Sequence, residues 1–134
     1  MVILFDQYHL SKNIYEIIFA TEQQAIVAKM LVDELKKQGG QMGKTEMSLF
    51  ATKLHEGTLV EVEEEGMFKK KQQAKMSYNK RQFYDRILTP MKAMGMIDYD
   101  MYKKVYTLST TLNKVLIKIG LMWIQEVNKK EGLI

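Results

Sequence analysis

The segment Ser77-Tyr-Asn-Lys-Arg-Gln-Phe-Tyr-Asp-Arg-Ile-Leu-Thr-Pro-Met-Lys-Ala-Met-Gly-Met-Ile-Asp98 begins with polar residues and then places apolar residues at helical spacing. Either Ser77 caps the helix, or Asn79 caps it with Gln82 three residues further on. The stripe that is expected to be buried consists of Phe83, Ile87, Met91 and Met94. We therefore predict a helix from about Ser77 with one apolar face, ended by the left-handed turn that Gly95 allows.

Two short strands are predicted directly after this helix. Met96–Asp100 and Lys103–Leu108 are rich in apolar and aromatic residues and are separated by a tight turn. Ser109 or Thr110 then begins a long last helix. Pro90, which lies late in the preceding helix, is expected to kink that helix or to tighten its last turn.

Further helices are predicted upstream. Thr21-Glu-Gln-Gln24 fits a capping box, in which the threonine hydroxyl and the glutamine amide each cover a free backbone amide. The helix that follows is expected to stop at Gly39-Gly40, after two lysines that suit its negative end. Another helix is predicted from about Lys44 to Glu56, and Ser11 is expected to cap a short helix before both.

The segment Val62–Ala74 allows two interpretations. Its glutamates lie at the start and its lysines at the end, as the helix dipole favours, and Glu65 and Lys69 form a well-oriented i,i+4 pair. These features predict a charged helix over 62–74, after a short strand at Thr58–Val60. Gly66 weakens such a helix, and the rival interpretation is a hairpin that turns at Glu65-Gly66.

Composition excludes several classes of protein. The chain has 134 residues, of which 46% are hydrophobic and 27% charged, and these values favour a single globular domain. The absence of cysteine excludes a disulfide scaffold, a thiolate zinc site and a cysteine nucleophile, and His9 and His55 share no metal-ligand spacing. The apolar start is too short for a signal peptide and no run of about 18 apolar residues exists, so we expect a cytoplasmic protein without a membrane partner.

Two motifs that suggest chemistry carry weak signals. Gly39-Gly-Gln-Met-Gly43-Lys44-Thr45 is similar to a P-loop, but its spacing is one residue short and it follows a predicted helix instead of a strand. The glutamates of 61–65 lack the aspartate pattern of a calcium-binding loop. We therefore expect no enzyme activity, no metal and no cofactor.

Positive charge concentrates in one part of the chain. Residues 67–104 carry ten Lys or Arg against three Asp, whereas the formal net charge of the whole chain is only +4. Arg, Lys, Asn, Gln, Ser and Tyr are residue types that contact phosphates and base edges in DNA. The candidate DNA contacts, from the helix after Ser77 and from the flanking lysines, are Ser77, Tyr78, Asn79, Lys80, Arg81, Gln82, Tyr84, Arg86, Lys69, Lys70, Lys71, Lys75, Lys103 and Lys104.

The order of the predicted elements resembles the winged helix-turn-helix proteins, particularly the small dimeric regulators of the MarR and ArsR-like type. In that family the recognition helix ends at a Gly followed by an apolar pair, and after the wing a Tyr-x-Leu-Ser/Thr precedes the next helix. Gly95-Met-Ile97 and Tyr106-Thr-Leu-Ser109 match this pattern. The resemblance implies a mainly α fold with a small β-hairpin wing (α+β). Residues 1–43 would form an N-terminal helical segment, 44–109 the winged-helix core and 110–134 a C-terminal dimerisation helix.

The resemblance also implies a homodimeric transcriptional regulator that binds double-stranded DNA, with the helix after Ser77 in the major groove and the lysines beside phosphates. The last helix is apolar on two sides, of which one is expected to pack on the domain and the other on a second copy. The residues expected at that dimer interface are Leu112, Val115, Leu116, Ile119, Gly120, Met122, Trp123 and Val127. Nothing in the sequence identifies an effector ligand.

A second hypothesis is a winged-helix module that binds other proteins in an assembly. Asp98 and Asp100 in the wing would repel phosphates, which favours this alternative. Within the DNA-binding class, a plasmid or viral replication or segregation factor is an alternative to a regulator, because the chemistry of DNA binding is the same.

Overall fold

The computed structural model describes residues 5–63 and 71–130, and over 59–63 and 71–75 it describes the backbone alone. The fold is a mixed α+β arrangement in which helices predominate. In chain order the elements are α1 (Ile14–Ile18), α2 (Glu22–Lys37), β1 (Gln41–Gly43), α3 (Lys44–Glu56), β2 (Thr58–Glu63), β3 (Lys71–Met76), α4 (Lys80–Phe83), a π-helical segment (Tyr84–Leu88), α5 (Thr89–Met94), β4 (Ile97–Asp100), β5 (Val105–Leu108) and α6 (Thr111–Asn128).

The strands form two separate antiparallel groups. β1, β5 and β4 make one sheet in that order, so the first strand of the chain pairs with the last. β2 and β3 pair with each other and with no other described strand, and in the sequence they lie between α3 and α4. β1 directly precedes α3, and β5 follows the helical segments of residues 80–94. Pairing of β1 with β5 therefore joins the two ends of the part of the chain that contains these helices.

The bounds of α2 and α3 agree with the sequence prediction, whereas the cap of α1 does not. The Thr21 hydroxyl accepts a hydrogen bond from the Gln24 amide at 3.1 Å, which confirms the N-terminal cap of α2. Gly39 and Gly40 follow α2 with φ of 77° and 90°, and the predicted bounds of α3 are confirmed. Asn13, not Ser11, caps α1.

The core lies where α2, α3 and the helical run of residues 80–94 meet. Each of these helices buries the apolar face that its periodicity predicts. The largest fully buried side chains include Leu31 and Leu35 from α2, Met47 and Leu54 from α3, and Phe83, Ile87, Leu88 and Met91 from the third helical run. Phe83 also packs against Phe50 of α3, with their ring centroids 5.6 Å apart.

Residues 80–94 form one continuous helical run, which we call the 80–94 helix. The backbone stays in the right-handed helical region at the junctions of α4, the π-helical segment and α5. The Thr89 amide donates to the carbonyl of Tyr84, five residues back, as in a π-turn. Pro90 follows at once, and because it lacks the amide of a regular helix, the wider π-turn accommodates it without ending the helix.

The start of the 80–94 helix differs from one of the two predictions. Asn79 is the cap, because its side-chain oxygen accepts a hydrogen bond from the Gln82 amide at 3.1 Å. The helix therefore begins at Lys80, and the expectation of a start at Ser77 is wrong. Tyr78 instead connects the preceding strand to α3, through a backbone hydrogen bond to the carbonyl of Leu54.

The prediction of a charged helix over 62–74 is wrong. β2 and β3 are antiparallel strands with Thr58 opposite Met76 and Glu63 opposite Lys71, so the rival hairpin interpretation is the correct one over the described strands. The predicted turn at Glu65-Gly66 lies outside the described residues. A helix dipole and one i,i+4 pair are weak forces, and they do not outweigh strand pairing here.

The last helix, α6, is an outlying element. Leu112 is half-buried, and the other residues of α6 are exposed to solvent in the part of the chain that the structure describes. The expectation that one apolar side packs on the domain is therefore wrong, because burial is limited to the start of α6, where Thr111 and Leu112 lie against Gly95. The exposed apolar side chains of α6 are Val115, Leu116, Ile117, Ile119, Leu121, Met122, Trp123, Ile124 and Val127.

Gly95 ends the 80–94 helix and touches the start of α6. Its φ is 84°, as the predicted left-handed stop requires. A Cβ at this position would lie 2.9 Å from the backbone nitrogen of Leu112, and the Leu112 amide donates to the Gly95 carbonyl at 2.9 Å. Both the conformation and the close backbone approach therefore require glycine here.

The left-handed conformation alone costs a non-glycine residue roughly 1–2 kcal/mol. Replacement of Gly95 by alanine is expected to lower the free energy of unfolding by more than this amount. The added methyl group would also collide with Leu112. Gly39→Ala is the matched control, since Gly39 has φ of 77° and a Cβ there would meet nothing within 4 Å. Denaturant unfolding of both variants measures the difference, and equal losses would contradict the role of the close contact.

Candidate nucleic-acid interface

The outer side of the 80–94 helix carries polar and charged groups over an apolar inner side. Arg81, Gln82 and Arg86 are exposed, whereas Phe83 and Ile87 on the inner side are fully buried. The inner residues fix the helix against α2 and α3, so the outer side chains project from a well-packed support. We call Arg81, Gln82 and Arg86 the outer stripe.

One carboxylate lies beside the outer stripe. Asp85 is exposed, and its Oδ2 lies 3.8 Å from Nε of Arg81, one turn earlier. The side chains are 90% and 68% exposed, so this pair gains little from its contact and leaves the guanidinium available to a ligand. Sequence reasoning did not include Asp85, although its i,i+4 spacing from Arg81 was readable.

Tyr78 does not belong to the surface. Its side chain is only 5% exposed and packs in the core, so the prediction that it contacts DNA is wrong. Its hydroxyl has no hydrogen-bond partner among the described residues. Tyr84 is half-buried and packs edge-on against Phe83, with ring centroids 5.5 Å apart, while Ser77 and Asn79 are exposed.

Lys80 is half-buried and turns toward α3. Its Nζ donates to the hydroxyls of Ser48 at 3.2 Å and of Thr52 at 3.0 Å, and its backbone amide donates to Nδ1 of His55 at 3.1 Å. Ser48, Thr52 and His55 were not among the residues predicted from the sequence to form the site. Their spacing of three and four residues places them on one side of α3, but the sequence does not show that Lys80 lies opposite.

The remaining lysines are spread over two other places. Lys71 and Lys75 lie in β3, so their predicted position at the end of a helix is wrong, while Lys69 and Lys70 lie outside the described residues. Lys103 and Lys104 are exposed in the connection between β4 and β5. The Lys104 carbonyl accepts a hydrogen bond from the amide of Lys44 at 3.0 Å, so the exposed first residue of α3 lies beside this loop.

Asp100 organises the loop that carries Lys103 and Lys104. Its Oδ1 accepts hydrogen bonds from the backbone amides of Lys103 at 3.1 Å and Tyr102 at 2.9 Å. These two bonds hold the pKa of the Asp100 carboxyl below its usual value. Asp100 therefore has a structural role in the turn, and its carboxylate is occupied by the loop backbone.

Comparison with known proteins gives no relative from which a function could be taken. No protein-family model, curated protein or solved structure matches the chain. The candidate interface therefore depends on its own geometry and chemistry.

Over residues 5–63 and 71–130, no cluster of three or more histidine or acidic side chains has the arrangement of a metal site. In the same part of the chain, no helix combines the length and the apolar character that crossing a bilayer requires.

The hydrogen bonds to Asp100 predict a specific pH dependence of stability. Because the folded-state pKa is lowered, the stabilisation is present above the unfolded value of about 3.9 and is lost as pH falls through the folded pKa. The difference in unfolding free energy between the wild type and Asp100→Ala is expected to be constant near neutral pH and to shrink in acid. Denaturant unfolding across this range measures it, with Asp100→Asn as a control that keeps an acceptor but does not ionise. A difference that persists unchanged in acid would contradict the assignment.

Proposed function

We propose that the chain is a winged helix-turn-helix protein that binds double-stranded DNA as a homodimer, most simply as a transcriptional regulator. The observation that carries this proposal is the outer stripe, a set of exposed Arg and Gln side chains on a helix whose inner side is fully buried. A rigid helix with such a surface suits the major groove, which is wide enough to admit it.

The topology supports the winged-helix interpretation. A helix, a short strand, a second helix, the 80–94 helix and a two-stranded hairpin follow one another, and the first short strand pairs with the last strand of the hairpin. In this interpretation α3 and the 80–94 helix form the helix-turn-helix and β4–β5 forms the wing. Because α2 and β1 share the same core and sheet, the proposed winged-helix core begins before the expected boundary at residue 44. The β2–β3 hairpin is an insertion between the two helices, where the family usually has a short turn.

The chemistry of the proposed contacts follows from the groups available. Arg81 and Arg86 carry guanidinium groups suited to guanine edges or phosphates, and Gln82 carries an amide suited to adenine. Lys103 and Lys104 lie at the tip of the proposed wing, where compact ammonium charges suit phosphates. Base readout is thus assigned to the outer stripe, and positioning on the backbone to the wing.

The exposed apolar surface of α6 supports the homodimer. Its apolar side chains are between 39% and 68% exposed, and they include Trp123, which is 68% exposed. An apolar surface of this extent in water indicates a protein partner. A second copy is the simplest partner, because one recognition helix reads only a few base pairs and paired half-sites need a two-fold dimer.

Gly120 is consistent with a close helix–helix contact. It lies within α6, and a Cβ at this position would meet nothing within 4 Å, so the fold of one protomer does not require glycine here. Glycine weakens a helix by roughly 1 kcal/mol relative to alanine. A second helix that approaches α6 at Gly120 would account for this residue.

The DNA-binding proposal predicts a salt-dependent affinity that the outer stripe controls. The wild-type chain is expected to bind mixed-sequence duplex DNA, with Arg81→Ala and Arg86→Ala each reducing the salt slope by about 0.9 if the residue neutralises a phosphate. If an arginine contacts a base edge instead, its replacement by alanine is expected to lower the DNA affinity with little change in the salt slope. Fluorescence anisotropy at several salt concentrations separates the two cases.

Lys36→Ala is the matched control for charge, because it removes one positive charge from the exposed end of α2. This variant is expected to bind as the wild type does. No binding of the wild type at about 50 mM salt, where non-specific affinity is strong, would contradict the proposal. The exposed apolar helix α6 would then favour the second candidate, a winged-helix module that binds another protein.

The homodimer proposal predicts that a charge on the apolar side of α6 separates the protomers. Ile119→Lys is expected to weaken self-association by at least about tenfold, because the dimer would bury an unpaired ammonium. Ile119 is 55% exposed in the protomer, so its replacement leaves the fold intact. Sedimentation velocity measures the dissociation constant.

The control on the same helix is Lys118→Gln, which changes an exposed residue on the polar strip of α6. It is expected to leave the dissociation constant nearly unchanged. A wild-type chain that sediments as a monomer at every concentration would contradict the homodimer and leave α6 to a different protein partner.

A further inference from the structure

Lys80 occupies a position that separates it from the two arginines of the 80–94 helix. It is the first residue of α4, and its ammonium lies between two hydroxyls of α3, those of Ser48 at 3.2 Å and Thr52 at 3.0 Å. All three side chains are half-buried, whereas Arg81 and Arg86 are exposed. The lysine therefore crosses the space between two helices instead of extending into solvent.

The hydroxyl of Thr52 is arranged to accept from this ammonium. It donates its own proton to the carbonyl of Ser48 at 2.9 Å, so the lone pairs of its oxygen are free to accept from Nζ of Lys80. A lysine ammonium has three donors and no acceptor, so two hydroxyl oxygens are suitable partners. The donor and acceptor roles within this group of three residues are thus mutually consistent.

His55 lies on the same side of α3 as Ser48 and Thr52 and accepts a hydrogen bond from the backbone of Lys80. Its Nδ1 accepts the Lys80 amide at 3.1 Å, so the imidazole carries its proton on Nε2. The first amides of a helix have no partner within the helix and need an external acceptor. We call Ser48, Thr52, His55 and Lys80 the α3–α4 tether.

We propose that Lys80 is a positioning residue, which with the α3–α4 tether fixes the start of the 80–94 helix on α3, and that it does not contact a DNA phosphate. This inference rests on the proposed DNA-binding function. Arg81 and Gln82 follow Lys80 directly, so the tether sets the direction in which the first part of the outer stripe projects. Base readout tolerates errors of only about 0.5 Å in such groups, so a fixed helix start would raise affinity without touching the ligand.

The decisive experiment compares affinity with salt slope. Ser48→Ala combined with Thr52→Val removes the acceptors without changing charge, and this variant is expected to lower DNA affinity up to about tenfold with an unchanged slope. Lys80→Ala is expected to give a similar loss. A double-mutant cycle is expected to show that the three substitutions together cost no more than either set alone.

His55 provides a test by conservative rescue. His55→Leu removes the acceptor of the Lys80 amide and is expected to lower affinity up to about tenfold, whereas His55→Asn offers a side-chain oxygen near the position of Nδ1 and is expected to restore most of it. Equal losses in both variants would show that the acceptor has no positioning role. Circular dichroism confirms that each variant folds.

Two results distinguish failure of this inference from failure of the proposed function. A fall of about 0.9 in the salt slope of Lys80→Ala, with no effect of the α3 substitutions, would show that Lys80 neutralises a phosphate and would overturn the inference while DNA binding stands. If the wild type binds no DNA, the proposed function fails. The double-mutant cycle on unfolding of the free protein then tests the tether, since additive effects would overturn it and strong coupling would support it.

Discussion

The close backbone contact at Gly95 is the constraint on which the arrangement of the second half of the chain depends. The left-handed residue ends the 80–94 helix, and its carbonyl accepts the amide of Leu112 at the start of α6. Ser109 in turn donates its amide to the carbonyl of Met96, beside the same turn. The 80–94 helix, the β4–β5 hairpin and α6 therefore meet at one point, and any shift there would move all three.

The two sides of the 80–94 helix separate the residues that stabilise the fold from those proposed to contact DNA. Phe83, Ile87 and Met91 are fully buried and bind the helix to its neighbours, while Arg81 and Arg86 contribute little to the packing. Substitutions of these two arginines are therefore expected to leave the fold intact, which makes them suitable for testing the proposed DNA contacts. The α3–α4 tether is the exception, because it combines a packing role with a charged side chain.

Helix ends were the most predictable features, because they depend on short-range chemistry such as the cap at Thr21 and the glycine turn at Gly95. The prediction of a helix over 62–74 was wrong because it used the order of charges, which is a local signal. Pairing of Thr58–Glu63 with Lys71–Met76 is a contact between residues further apart in the sequence. The burial of Tyr78 could not be predicted from the sequence either, since it depends on the position of α3. For α6 the sequence showed two apolar sides but not that the protomer leaves both uncovered.

The β2–β3 hairpin has a consequence for how the chain can vary in length. It leaves α3 at Thr58 and returns at Met76, and these two residues are paired neighbours at its base. A hydrogen bond from Tyr78 to Leu54 closes the chain just behind that pair. The segment from Thr58 to Met76 thus begins and ends at neighbouring positions in the fold. Because only this base is held by the flanking helices, a matched change in the lengths of β2 and β3 leaves α3 and the 80–94 helix in place, which makes the paired strands a natural place for variation in chain length.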